Sequence, residues 1–232
     1  MRKFIVYFII LAGMVLAQKP EIKFIRLYKG NKDYDVVKPV FIGEKFKKIN
    51  IEIDDLTPEF HKETMKECME YNMKSYCEGF KAGMESKILY QDDKVISLII
   101  EVHEKTGGVH PVDFISSFVI DKESGEDIKD QILGDERQEV TERIYKYILK
   151  NPFDTFWSKD DSGFNEECIK ESCFTLIQKD KDTVYIMYYV YDIASFAEGD
   201  QYFEFNTKTK KLYYLNGFYS FFIKKGEKIE IE

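Results

Sequence analysis

The sequence predicts an α+β fold, in which antiparallel sheets carry two main packed helices. Three observations support that expectation. Short runs with apolar residues at alternate positions recur from Glu21 onward, separated by turn-forming Gly, Asn and Asp. Two stretches instead repeat their apolar residues every three or four positions, the spacing of a helix face. Aromatic residues, 19 Phe, 16 Tyr and 1 Trp, make up 16% of the chain, enough ring surface to drive collapse into a core.

In chain order, Met1, Arg2 and Lys3 precede an unbroken apolar run from Phe4 to Ala17. The run is shorter than a membrane span and has the length of a signal-peptide core, and Val15-Leu16-Ala17 supplies permissive residues for cleavage before Gln18. Residues 1–17 are therefore expected to be a signal peptide, which places the mature chain in the periplasm or outside the cell. Retention of the run as an anchor is the other reading. The first cysteine is Cys68, which excludes a lipoprotein. No later segment is long and apolar enough to span a bilayer, so no stable membrane span is expected after cleavage.

Ile25 and Leu27, Tyr34 to Phe41, and the alternating Ile49, Ile51 and Ile53 read as strands with one wet face. Thr57 and Pro58 look like the N-cap and first residue of a helix running to Ser86. Within it Met65, Met69, Met73, Tyr76, Phe80 and Met84 make one apolar stripe, expected to face the sheet. Val95 to Glu104 reads as a strand with Ile96, Leu98, Ile100 and Val102 on one face. Thr106-Gly107-Gly108 turns the chain into a second strand, Val112 to Asp121, carrying Phe114, Ser116, Phe118 and Ile120. Asp121 to Gly125 is a turn in which Gly125 takes a positive φ. Glu136 to Leu149 is an amphipathic helix through Val140, Ile144, Tyr147 and Ile148, stopped by Asn151-Pro152. Strands follow near Phe174 to Leu176, Val184 to Tyr191, Tyr202 to Phe205, Leu212 to Leu215 and Phe218 to Ile223. No repeat or Pro/Gly-rich linker divides the chain, so two closely packed halves are expected.

The charge balance, 34 Lys and Arg against 42 Asp and Glu, gives a net charge of −8 with no basic cluster, which removes the electrostatic basis for nucleic-acid binding. The sequence has no G-x-S-x-G elbow, no H-E-x-x-H and no phosphate-cradling glycine loop, and no cofactor is expected. Three histidines, His61, His103 and His110, limit any imidazole chemistry. His103 and His110 flank the glycine turn and Asp113 follows, so this trio is the candidate acid/base set. The simpler reading is that His110 hydrogen-bonds and braces the turn. The acidic pairs Asp54-Asp55, Asp92-Asp93 and Asp160-Asp161 sit in polar turns and read as solvated surface.

The four cysteines fall in two pairs, Cys68 with Cys77 and Cys168 with Cys173. On one helix Cys68 and Cys77 would lie roughly 13 Å apart on opposite sides, too far to bond. Two readings stand side by side: four unpaired thiols, or one long-range bridge. No pair is accompanied by the histidines of a zinc site, and no metal is expected.

Several of these segments resemble one family in the right order. Tyr34 to Phe41, Ile49 to Ile53, Ile96-Ser97-Leu98 and Thr106 to Pro111 are similar to the N-terminal half of the PdaC/RsiV-like extracellular module. Asp121 to Gly125 resembles that family's D-x-x-[ST]-G turn, and Val184 to Gly199, with Tyr191, Ala194 and Gly199, resembles the companion C-terminal domain of unknown function. Val109 stands where the family often has Ala, and Ser195 where it often has Pro. The resemblance implies a PdaC-like domain over 18–118 and an RsiV-like domain over 119–232. Only three residues precede the apolar run and nine follow Ile223, so neither a sigma-binding segment nor a separate deacetylase domain is expected.

What the resemblance implies is an exported, non-enzymatic binding module of the cell envelope, recognising a cationic protein such as lysozyme or a peptidoglycan component. The alternative is a cell-wall glycan hydrolase or deacetylase using His110 and nearby carboxylates. Gly107, Gly108, His110, Asp121, Gly125, Tyr191, Ala194 and Gly199 are the motif positions it marks.

Overall fold

The computed structural model describes residues 22–27, 34–57, 81–105, 112–158, 160–161, 164–189, 191–195, 198–216 and 227–232. The expected α+β architecture is present. Five strands, β1 (Ile22–Leu27), β2 (Tyr34–Phe41), β3 (Lys81–Gln91), β4 (Val95–Lys105) and β5 (Val112–Asp121), form one sheet in sequence order. A second sheet contains β6 (Phe174–Gln178), β7 (Thr183–Tyr188), β8 (Gln201–Asn206), β9 (Leu212–Asn216) and β10 (Glu227–Ile231) in the order β10-β9-β8-β7-β6. All their pairings are antiparallel except β2 with β3, which run parallel.

The strand period explains the layers. On β4, Ile96, Leu98, Ile100 and Val102 face a core closed by Phe46, Ile49 and Ile53, while Ile99 faces the other way. On β7, Val184, Ile186 and Tyr188 face the helix α2 (Arg137–Lys150), whereas Tyr185 and Met187 join Ile99 and Ile115 between the sheets. Every residue of β7 is thus buried, as expected of a strand covered on both faces. The two sheets pack back to back, and among the described residues α1 lies outside the first and α2 outside the second. Ser117 Oγ on β5 donates to the Leu176 carbonyl on β6 at 2.8 Å and lies 2.9 Å from Thr175 Oγ1, and the Tyr189 hydroxyl donates to the Ile115 carbonyl. These bonds tie one sheet to the other.

Three expectations change. Ile49, Ile51 and Ile53 lie not on a strand but on helix α1 (Lys47–Asp55). Alternation at positions 49, 51 and 53 also places residues 49 and 53 four apart on one helix face; both are fully buried, while Ile51 is 53% exposed. Asn50 supplies what a ladder would have given: its amide donates to the Phe41 carbonyl at 2.8 Å and accepts the Phe41 N–H at 2.9 Å. Thr57 follows the end of α1, its hydroxyl donating to the Ile53 carbonyl at 3.4 Å, and the helix start expected after it falls outside the described residues. The helix expected over Pro58 to Ser86 is not present in its last part, because Lys81–Ser86 belongs to β3; 58–80 lie outside the described residues. Met84, fully buried, fills the core from a strand, which its flexible side chain suits as readily as a helix.

The helix expected over Glu136 to Leu149 is α2, and Asn151 ends it in the left-handed region at φ 39°. The strand expected to reach Tyr191 stops at Tyr188, and the segment Phe218 to Ile223 lies outside the described residues. Among the described residues no helix is long and apolar enough to cross a membrane.

Candidate functional site

One end of the second sheet gathers three connections. The chain leaving α2 runs through Asn151 to Ser158, the segment between β7 and β8 begins with Tyr189 to Ala194, and the turn Cys168–Ser172 leads into β6. β6 pairs Phe174 with Tyr188, so the start of β6 and the end of β7 lie side by side.

Asn151 fixes the first connection. Its side-chain amide donates to the Phe156 carbonyl and accepts the Phe156 N–H, both at 2.8 Å. Phe156 then bridges Ala194, and Trp157 N–H donates to the Ile193 carbonyl at 3.0 Å, so the first and second connections are joined. The second connection closes on itself: Tyr191 N–H donates to the Ala194 carbonyl at 3.0 Å, and Asp192 N–H to the Tyr189 carbonyl at 3.1 Å. Tyr191 adopts φ 72°, a conformation that costs a non-glycine residue about 1 kcal/mol or more, yet its side chain is 59% exposed. In the first connection Phe153 is 46% exposed and stacks on Tyr214. Gly199 follows at φ 67° with open space around its α-carbon, and Gln201 donates to its carbonyl at 3.0 Å. Conformation, not crowding, calls for glycine there.

The third connection corrects the cysteine reading. Cys168 and Cys173 form a disulfide with each other, a local bridge that a spacing of five permits because the intervening turn is wound as a single π-helical turn. Cys68 and Cys77 lie outside the described residues. Asp192 approaches this pair, its carboxylate and both sulfurs lying within 4.8 Å of one another. Burial raises the Asp192 pKa above the ordinary carboxylate value, opposed by the Tyr189 N–H that donates to Oδ2 at 3.0 Å.

Beneath these connections lies a tyrosine floor. Burial lifts the Tyr202 hydroxyl well above its usual pKa, and the Asp200 and Glu101 carboxylates raise it further. Tyr189 is pushed up to about 12, by burial first and then by Asp200 and Asp192. Glu101 belongs to β4, so the first sheet brings its own acidic group to this end.

His103 and Asp113, expected as part of an acid/base set, are directly opposite each other on the β4–β5 ladder at the same end. His103 Nε2 lies 3.8 Å from Glu101 Oε1, and its side chain is 46% exposed. His110, Gly107 and Gly108 lie outside the described residues. Asp121 and Gly125 sit at the opposite end of β5, about 20 Å along the strand from Ile115, and they serve the fold. Asp121 Oδ1 accepts the Ser124 N–H, Glu123 N–H and Ser124 hydroxyl at 2.7, 3.0 and 2.9 Å. Those bonds, the Ser124 N–H first, hold its carboxyl below the usual value. Asp92, Asp93, Asp160 and Asp161 are exposed in turns, as expected, whereas Asp54 and Asp55 are exposed but end helix α1 instead of lying in a turn.

The motif positions Tyr191, Ala194 and Gly199 therefore lie in one connection with Asp192, Tyr191 exposed and Ala194 fully buried, and Asn151 and Phe153 belong to the connection bridged to it. Sequence reasoning singled out neither Asp192 nor Phe153 and read Asn151 only as a helix stop. For Asn151 the signal was present, since Asn is among the few residues that tolerate the left-handed region after a helix. For Asp192 none was, because its cysteine neighbours are distant in sequence.

No family model and no curated protein matches the chain. Among solved structures, a DUF3298-family protein from Bacteroides fragilis matches over 82% of this chain and 92% of its own length, at 14% identity and a TM-score of 0.51. A DUF3298-family protein from Pseudomonas aeruginosa matches over 81% and 90%, at 12% identity and a TM-score of 0.46. The first likeness is one of fold, and it fits loosely the domain-of-unknown-function resemblance read from the sequence.

Proposed function

We propose that this protein is an exported, non-enzymatic binding module of the cell envelope, and that the end bearing Phe153, Trp157 and Tyr191 recognises a cationic protein of the lysozyme type. The observation that carries the reading is Tyr191, whose ring is presented to solvent from a strained backbone held by the Tyr189–Ala194 turn. A strained, exposed aromatic on a braced loop is a feature of recognition sites more than of cores. Around it Asp192, Asp200 and Glu101 add negative charge at one end of a chain of net charge −8, a field that attracts a basic partner. Aromatic faces beside carboxylates suit arginine and lysine side chains, through ring stacking and ion pairing together.

Interferometry of the purified protein against lysozyme, at low and at physiological salt, tests this reading. Saturable micromolar binding that persists at physiological salt supports it. Tyr191→Asn, which keeps a residue tolerant of positive φ but removes the ring, should then weaken binding by about 2 kcal/mol, the scale of an interface anchor. Binding that disappears with salt, that equals binding to an unrelated basic protein, or that occurs only to purified peptidoglycan, overturns it.

A further inference from the structure

We propose that Cys168, Cys173 and Asp192 form a thiol-gated site for a zinc-like divalent cation, closed while the disulfide stands and opened by its two-electron reduction. This goes beyond the partner reading and does not depend on it.

The geometry supplies three donors of suitable type. Two sulfurs and one carboxylate oxygen lie within 4.8 Å of one another, and all three residues are half-buried. Around a tetrahedral zinc ion, with sulfur at about 2.3 Å and oxygen at about 2.0 Å, ligand atoms stand roughly 3.5 to 3.8 Å apart. Reduction lets the sulfurs part by under about 2 Å from bonding distance, which brings the two of them to that spacing, and the carboxylate oxygen already lies within 4.8 Å of both. A fourth position is left for water.

The site is held by bonds other than the disulfide, so reduction does not by itself scatter the donors. Cys173 N–H donates to the Cys168 carbonyl at 2.9 Å. Asn165 caps the turn, its side-chain oxygen accepting the Cys168 N–H at 3.0 Å. The fully buried Tyr188 hydroxyl donates to the Ile169 carbonyl at 2.7 Å, anchoring the middle of the turn to β7. Asp192 is oriented by the Tyr189 N–H on Oδ2 at 3.0 Å, an outer-shell bond that fixes the carboxylate.

The chemistry balances with a phosphine as reductant. The S–S bond breaks, phosphorus gives up two electrons and takes the oxygen of one water, and the two protons of that water end on the sulfurs. Zinc binding then displaces both thiol protons, leaving two thiolates and one carboxylate around a doubly charged ion.

The test uses the full chain, reduced anaerobically with a water-soluble phosphine and titrated with Zn²⁺ against a chromophoric competitor. The expected result is one Zn²⁺ per chain, bound about a hundredfold or more tighter than by the oxidised protein, with release of about two protons. Substituting Co²⁺ should give a sulfur-to-metal charge-transfer band. Because the chain also contains Cys68 and Cys77, alkylation with and without Zn²⁺ followed by peptide mapping must assign the protected thiols to Cys168 and Cys173. Asp192→Asn should weaken Zn²⁺ binding by about tenfold or more while its oxidised form melts cooperatively. Equal affinity in the oxidised and reduced proteins, protection confined to Cys68 and Cys77, or unaltered affinity in Asp192→Asn overturns the proposal. Should that variant not fold, protection mapping on the wild type decides alone.

Discussion

Asn151 and Phe156 exchange two hydrogen bonds, side-chain amide to backbone, in the way two strand residues do. The pair converts the end of α2 into the start of the loop that presents Phe153 and Trp157. Asn151→Ala removes both bonds, leaves two partly buried backbone groups unsatisfied, and puts a residue that tolerates the left-handed region less well than Asn at φ 39°. A loss of about 2 to 3 kcal/mol in urea unfolding is expected. Trp157 is the sole tryptophan, so its fluorescence reports the loop directly. An unchanged emission maximum and midpoint would show that the loop is braced elsewhere.

Gly125 packs the turn after β5 against Lys45, in the 3₁₀ turn Glu44–Phe46 that leads into α1. A β-carbon there would stand 2.3 Å from the Lys45 carbonyl oxygen, at a backbone φ of 81°. Neither the oxygen nor the turn can yield cheaply, since the Gly125 N–H already donates to the Asp121 carbonyl at 2.8 Å. Gly125→Ala should lower stability by about 3 kcal/mol or more, combining overpacking with positive-φ strain. Thermal unfolding measures it, and a loss under about 1 kcal/mol would mean that α1 moves freely away from the turn.

The sequence revealed the parts of this fold whose period admits one reading. β4 and β5 alternate over ten residues or more, and α2 carries Val140, Ile144 and Ile148 on one face with a stop signal after it. The isoleucines of α1 were ambiguous, because a stretch of five residues satisfies period two and a four-residue step at once. Charge and turn signals did not separate the readings; the decisive bond, from Asn50 to Phe41, is tertiary. The site was legible as motif positions, Tyr191, Ala194 and Gly199, but not as a surface. Its assembly depends on the Phe156–Ala194 bridge and the approach of Asp192 to the disulfide, and neither contact has a local sequence signature.

Two serines at the junction of the sheets should respond oppositely to truncation. Ser117 Oγ donates to the Leu176 carbonyl, so Ser117→Ala leaves that buried oxygen short of a donor and should cost about 1 to 2 kcal/mol. Ser97 Oγ, on the same face of β4, is fully buried with no partner. Ser97→Ala removes an unsatisfied hydroxyl and should be neutral or stabilising by up to about 1 kcal/mol. Chemical denaturation of both variants tests the contrast. Equal losses at the two positions would mean that volume, not hydrogen bonding, governs this interface.

Asp192 gives stability a specific pH dependence. Burial raises its folded-state pKa above the ordinary 3.8, and the Tyr189 N–H opposes without cancelling that effect. A carboxyl whose pKa is raised on folding favours the folded state in its protonated form. Its contribution is present below the unfolded value and is lost as pH rises through the folded value, after which the native state holds a half-buried negative charge. Asp192→Asn keeps an oxygen to accept the Tyr189 N–H and carries no charge at any pH. The oxidised variant should therefore be more stable than the oxidised wild type at neutral pH, and the difference should shrink as pH falls towards and below 3.8. Asp92 and Asp121, whose carboxyls are lowered by hydrogen bonds despite some burial, impose the opposite slope, but they are common to both proteins and drop out of the difference. Paired thermal melts between about pH 7 and pH 3 make the comparison. A difference that does not vary with pH, or a wild type more stable than the variant at neutral pH, would mean that the carboxylate is stabilised by a partner that the asparagine cannot replace.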